Sequence, residues 1–355
     1  MLRNLLQGAP AIRLLPVGGI LLAVVVAFAY DGGWLSPHAL TPARFIDTFE
    51  AINGVHPSFR RNHAKGVCVS GTFESNGQGA RLSKAVVFQP GRIPVVGRFA
   101  LAGGMPYAPD AVSTVRSMAL RFSLPNGEEW RTGMNNTPVF AVNTPAAFRD
   151  QLLAMRPDPT TGKPDPAHVR AFLERHPESA RAMATVKAQP IASGFANGAY
   201  NSLNAFVFVS SSGQRTPVRW SMVPLQPFAP DPVPKGKSPS FLFDDLIDSV
   251  HRHPVAWRMM ITVGRPEDPT NDATIAWPRD REQVDVGTLT IDRIESEDTS
   301  PVRNINFDPL VLPNGIAPSD DPLLSARSAA YSVSLRRRLG ELRAPSAVTP
   351  AEVAR

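Results

Sequence analysis

The chain has 355 residues, 43% of them hydrophobic and 19% charged, and a net charge of +6. That is enough apolar material to bury a core in one large domain or two small ones, which excludes a disordered or fibrous chain. The arginines fall in short scattered groups rather than one basic block, and no nucleic-acid-binding motif accompanies them, so no nucleic-acid partner is expected.

The first element is the apolar run "LLPVGGILLAVVVAFAY" (residues 14–30), with Arg3 and Arg13 the only charges before Asp31. It is longer than most signal-peptide cores and a little short of the ~20 residues that span a bilayer. Residues 1–30 are therefore expected to be a signal peptide or a membrane anchor, with the small residues Ala27 and Ala29 offering a cleavage site. In either case the positive flank stays inside and the rest is exported, here to the periplasm, with this segment as the only membrane contact.

"TPARFIDTFEAING" then reads as a short helix with Thr41 as its cap and Gly54 at its end. From Val67 the period changes to two. "VCVSGTFES", "IPVVGRFAL", "SMALRFSL" and "EEWRTGM" are strands separated by turn residues. Helical patterns follow at 146–155, 167–175 and 178–187, and strands return as "SLNAFVFVS", "PVRWSMVPL", "AWRMMITVG" and "VDVGTLTID", interrupted by the helix "PSFLFDDLIDSVHR". Four strands, helices and four more strands predict an α+β fold: an eight-stranded antiparallel barrel with inserted helices. Side chains fill a barrel of that size, so a large ligand belongs outside it or at its rim. The 36 prolines, about twice the usual 5% share, demand extended connections. Residues 295–325 read as one such long wrapping loop. A helix starts near Leu323, capped by Ser319, Asp320 or Asp321, and runs to Arg343; residues 344–355 read as a disordered tail. The single cysteine, Cys68, excludes an intramolecular disulfide and reads as a packed thiol. His251 and His253 in "HRHP" have no further ligand nearby and read as loop residues.

Two constellations carry chemistry. In "FRRNHAKG" (residues 59–66), His63 stands among Arg60, Arg61 and Lys65, a crowding that disfavours imidazolium and leaves a neutral, basic ring. On the last helix, Arg327 and Tyr331 are four apart and share a face, so the guanidinium favours the phenolate, the form in which tyrosine ligates ferric haem.

"FDP…LPNGIAPSDDPLLSARSAAY…RRRLG" resembles the proximal segment of the haem catalases. "RRNHAKG" is similar to their distal histidine segment and "MNNTPVF" to their distal asparagine segment, with "VGRFAL" between at the matching place. The resemblance covers residues 45–343, within a catalase-like haem domain at 41–343, and is nearest to the short exported catalase-related peroxidases. It implies haem as cofactor, His63 and Asn135 as catalytic residues, and Tyr331 as axial iron ligand with Arg327 its partner. It further implies Arg60, Arg98 and Arg338 at the haem propionates, Phe148 stacked on the haem and Phe140 near the distal pocket.

Three departures from the family pattern stand out. Ala100 replaces a serine that would bond the distal histidine, which predicts a less firmly oriented His63. Asn62 replaces a valine and makes the entrance more polar, and Ala141 replaces a phenylalanine and adds room. The function these imply is a haem peroxidase cleaving organic hydroperoxides and hydrogen peroxide, leaving a ferryl haem that an organic electron donor reduces. A small catalase, a hydroperoxide-rearranging enzyme and a non-catalytic haem-binding barrel are the alternatives. A monomer or dimer is expected rather than a catalase tetramer.

Overall fold

Proline at the first turn and a side-chain cap recur at the helix starts, and period-two burial recurs along the strands. The computed structural model describes residues 10–31, 39–230 and 238–354, so Arg3 and the rest of residues 1–9 lie outside it. Two helices precede the sheet: α1 (Pro10–Asp31) and α2 (Pro42–Asn53), the latter capped by the Thr41 side chain and left through Gly54 at φ +81°. Among the described residues no helix is long and apolar enough to cross a membrane.

Strands β1 (Gly66–Ser75), β2 (Gly91–Leu101), β3 (Arg116–Ser123) and β4 (Glu129–Asn135) pair antiparallel in succession. Helices α3 (Pro145–Ala154), α4 (Pro166–Arg175) and α5 (Pro177–Lys187) follow. The second set comprises β5 (Tyr200–Asn201), β6 (Phe206–Val209), β7 (Arg215–Pro224), helix α6 (Phe241–Arg252), β8 (Val255–Val263) and β9 (Gln283–Glu295). Strand β10 (Ile316–Pro318) and helices α7 (Pro322–Leu339) and α8 (Pro350–Val353) complete the chain. β7 bonds both β5 and β8, which closes β5-β4-β3-β2-β1-β9-β8-β7 into the expected barrel of eight, with β6 and β10 as an appended pair.

Side chains fill the interior. Trp130, Trp220, Trp257, Phe73, Phe99 and Phe122 are all fully buried in one cluster. Alternation sends Phe99 and Leu101, Met118 and Leu120, and Trp130 and Met134 inward. Arg98, Ala100, Ser117, Ala119, Gly133 and Asn135 consequently face outward. Against that outer face lies α7, itself packed on α2 through Ile46, Phe49, Ala330 and Val333.

Four local expectations need correction. The strand predicted over residues 202–210 shrinks to β6 and lies outside the ring; the ring place is taken by β5 just before it, and Leu203, at φ +64°, turns the chain between the two. The thread at 295–325 contains a 3-10 turn (Pro301–Asn304) and β10 rather than no element. Helix α7 stops at Leu339, with Gly340 as its C-cap, and does not reach Arg343. Residues 344–354 are not a disordered tail: Val348 and Val353 join the main core, Ser296 Oγ donates to the Val348 carbonyl at 2.6 Å, and Thr349 and Glu352 form a capping box on α8.

Candidate active site

Strand register builds one wall of a cleft. Ala100, Ser117 and Asn135 lie directly opposite one another across β2, β3 and β4, and Arg98, Ala119 and Gly133 form the next row. These six outward positions line a cleft of about 1340 Å³, its open mouth included, with α2, α3 and α7 supplying the other walls. The cleft lies outside the packed barrel, as its filled interior requires. His63, Asn135, Tyr331, Arg327, Arg60, Arg98, Arg338, Phe140 and Phe148 all line it, although nearly 280 residues separate the first from the last in sequence.

His63 is held from several sides. Its backbone sits at φ +55°, a left-handed conformation costly for a residue with a side chain. Asn62 Oδ1 accepts from the His63 and Gly103 amides at 2.9 Å each, and Arg98 Nη1 donates to the His63 carbonyl at 2.7 Å. Asn62 thus serves as a backbone clamp as well as lining the cleft. The ring is also fixed: Ser117 Oγ lies 3.0 Å from Nδ1 and donates to Asn135 Oδ1. The loss of an orienting partner predicted from Ala100 is therefore corrected, because the cross-strand neighbour supplies the hydroxyl. Asn136, the second asparagine of the pair, is used structurally, accepting from the Arg116 amide at 2.9 Å and donating to the Thr114 carbonyl at 3.0 Å.

Burial, followed by the charges of Arg98, Arg327 and Arg60, pushes the His63 pKa down to about 3. The ring is neutral, as its sequence neighbours suggested, but two of those neighbours are not the cause. Arg61 is paired with Glu50 and Glu341, and Lys65 with Asp110 at 2.7 Å.

Helix α7 carries the opposing functional face. The Arg327 guanidinium stands 5.9 Å from the centre of the Tyr331 ring. Arg327 donates to Asn204 Oδ1, Asn204 Nδ2 donates to Asp321 Oδ2 at 2.7 Å, and Asp321 Oδ1 caps the helix by accepting from the Leu323 amide at 2.9 Å. The residue that starts the helix therefore also holds the arginine in place. Phe140 and Phe148 meet edge to face at 5.1 Å, and Phe148 extends the aromatic wall to Phe45 and Phe49.

Whether this cleft fits haem can be tested on its charges and shape. Arg60, Arg98 and Arg338 gather around a single buried carboxylate, Glu297, which accepts from Arg60 and Arg98 at 2.8 Å. Three guanidinium groups against one carboxylate leave an excess of two positive charges, and haem carries two propionates. Arg338 is buried and, among the described residues, donates to the Arg303 and Ile305 carbonyls. Burial and then Arg60 push its pKa down to about 8, so an added anion would be favoured there. Burial alone would raise Glu297, but Arg98 and Arg60 outweigh it and hold the carboxyl below its usual range. On the shape side, a Cβ at Gly133 would come within 3.4 Å of Arg327 Nη2 and 4.0 Å of Tyr331 Oη, so glycine keeps this wall flat. The donor set fits haem.

Sequence reasoning missed Ser117, Glu297 and Asn204. Ser117 was within reach: counting outward positions on "SMALRFSL" against the Arg98–Ala100 face would have brought it to the wall. Glu297 and Asn204 lie in irregular chain and carry no such period. Cys68 is a packed thiol whose pKa burial pushes up to about 12. Among the described residues no group of three or more potential metal-ligating histidine, cysteine, aspartate or glutamate side chains occurs.

Residues 33–344 match the family model described as Catalase. A catalase-related peroxidase of Synechococcus elongatus is 40% identical over 301 residues, covering 84% of this chain and 89% of that relative. A catalase-related peroxidase of Mycolicibacterium paratuberculosis is 33% identical over 304 residues, covering 85% and 96%. The solved structure of a bacterial catalase superposes with a TM-score of 0.71 at 23% identity, covering 85% of this chain, which spans 62% of that catalase. That likeness is one of fold; the alignments to the two catalase-related peroxidases, higher in identity and covering most of each relative, carry the assignment. With the family model spanning most of the chain and the site residues meeting in one cleft, the chain belongs to the catalase family, haem enzymes that act on peroxide as oxidoreductases.

Proposed function

We propose that the protein is a haem-dependent peroxidase in which His63 transfers the proton, Asn135 orients the peroxide and Tyr331 holds the iron. The observation that carries this reading is the His63–Ser117–Asn135 chain lining the same cleft as Tyr331 and Arg327. Arg60, Arg98 and Arg338 would hold the haem propionates, and Phe148 and Phe140 would cover its apolar ring. When bound, haem supplies the iron at which peroxide is cleaved and takes up its oxidising equivalents. His63 accepts the proton of one peroxide oxygen and delivers it to the other, which leaves as water or an alcohol. Asn135 donates a hydrogen bond that fixes the direction of the O–O bond. Neither task would be needed for haem storage or transport, which weighs against a non-catalytic barrel.

An organic donor then returns the two electrons. Organic hydroperoxides and hydrogen peroxide both fit an open cleft, to which Asn62 lends polarity. The chain spans 62% of the solved bacterial catalase on which it superposes. A second reading, a small catalase, gains from the firm seating of His63, because a well-held base also serves the second hydrogen peroxide; some oxygen release should accompany the peroxidase activity. The test uses one haem-loaded preparation, comparing donor oxidation driven by tert-butyl hydroperoxide with oxygen evolution from hydrogen peroxide. His63→Ala should keep its haem and lose donor oxidation by ~10²–10⁴. Fast oxygen evolution with negligible donor oxidation would make the protein a small catalase.

A further inference from the structure

We propose that Ser117 is the positioning residue that sets the working forms of both His63 and Asn135 through one hydroxyl. This rests on the reading of His63 as the proton-transferring base. Ser117 stands on β3 directly between Ala100 on β2 and Asn135 on β4. Its Oγ lies 3.0 Å from His63 Nδ1 and donates to Asn135 Oδ1. A serine hydroxyl carries one hydrogen. Because that hydrogen goes to Asn135, the contact with His63 runs the other way, Nδ1–H donating to Oγ. A neutral imidazole has a proton on one nitrogen only, so Nε2 keeps its lone pair and is the basic atom. The same bond ties the Asn135 oxygen to the wall and leaves Nδ2 free to donate to a peroxide.

One hydroxyl thus sets a base and a donor as a matched pair. Reversing the network would invert both members together. An amide nitrogen donating to Oγ would turn the hydroxyl towards Nδ1, place the ring hydrogen on Nε2, and present an acceptor where the peroxide needs a donor. The His63 backbone is already clamped by Asn62 and Arg98, so ring angle and tautomer are left to the partners of the ring itself, the Ser117 hydroxyl and the Leu101 backbone carbonyl.

The test compares Ser117→Ala, Ser117→Thr and the double variant Ala100→Ser/Ser117→Ala on the haem-loaded protein. Cyanide provides a readout independent of turnover, since it arrives as HCN and needs a base to take its proton. Ser117→Ala should retain haem and melting temperature while cyanide association and peroxide kcat/KM each fall by about 10–100-fold. Ser117→Thr, which keeps the hydroxyl, should recover both. The double variant offers His63 a hydroxyl from the opposite strand but none to Asn135, so cyanide association should recover while the KM for peroxide stays raised. Ser117→Cys, a weak donor of similar size, makes the same comparison if the alanine variant does not fold. Ser117→Ala indistinguishable from wild type, while His63→Ala is impaired, would overturn the inference. So would Ser117→Thr as poor as alanine, which would mean that packing and not the hydroxyl matters. Undiminished turnover in His63→Ala would instead sink the base assignment, and this inference with it.

Discussion

A histidine whose pKa is pushed down to about 3 is a neutral base throughout the range in which an ordinary one titrates, about pH 5 to 8. The sign matters: folding lowers the proton affinity of His63, so the charged ring appears only below about 3, whereas the unfolded chain regains a value near 6.5. Acidification through that window therefore removes stability from the apoprotein. For turnover, peroxide kcat/KM should show no acid limb near 6.5; a limb there, absent in His63→Ala, would mean that the ring titrates freely. Tyr331 is tested separately. Tyr331→Phe keeps the ring beside Arg327 but removes the oxygen, so the protein should purify with little haem and without a Soret band. Full occupancy with an unchanged spectrum would rule the assignment out. At this scale the neutrality of His63 was legible in the sequence but only part of its cause was. Arg98 and Arg327 come from distant elements, while the adjacent Arg61 and Lys65 are neutralised by acids that proximity in sequence does not reveal.

Among the elements, α7 ties its own start to the Arg327–Tyr331 face of the cleft. Asp321 both caps the helix and holds Asn204, which accepts from Arg327. Asp321→Ala should cost about 1 kcal/mol from the cap alone, read from urea denaturation, and should also weaken haem retention. A loss of stability with haem binding intact would separate the cap from the site. The strands were legible because buried and exposed residues alternate along them, and α2 because Thr41, Pro42 and Gly54 are unambiguous punctuation. Register was not legible, since the pairing of Ala100 with Ser117 depends on how residues 102–115 fold. Nor was the break at Leu203, a left-handed turn made without glycine or asparagine.

At the scale of the whole molecule, the apolar run behind Arg13 supports a proposal that the catalytic domain lies on the far side of the inner membrane. Val17, Ile20, Leu21, Leu22 and Phe28 on α1 are all exposed. Protease added to spheroplasts should digest the domain; protection until lysis would place it in the cytoplasm. The barrel itself has a further consequence. Its interior is closed by tryptophan and phenylalanine rings, and the cofactor cleft lies on its outer surface, so the polypeptide does not need the porphyrin as a nucleus around which to collapse. Maturation can then proceed as two separable events, chain first and prosthetic group second, and a newly translocated, empty protein would be a competent acceptor rather than a folding intermediate. Haem added to protein made without it should restore the spectrum without a denaturation–renaturation cycle.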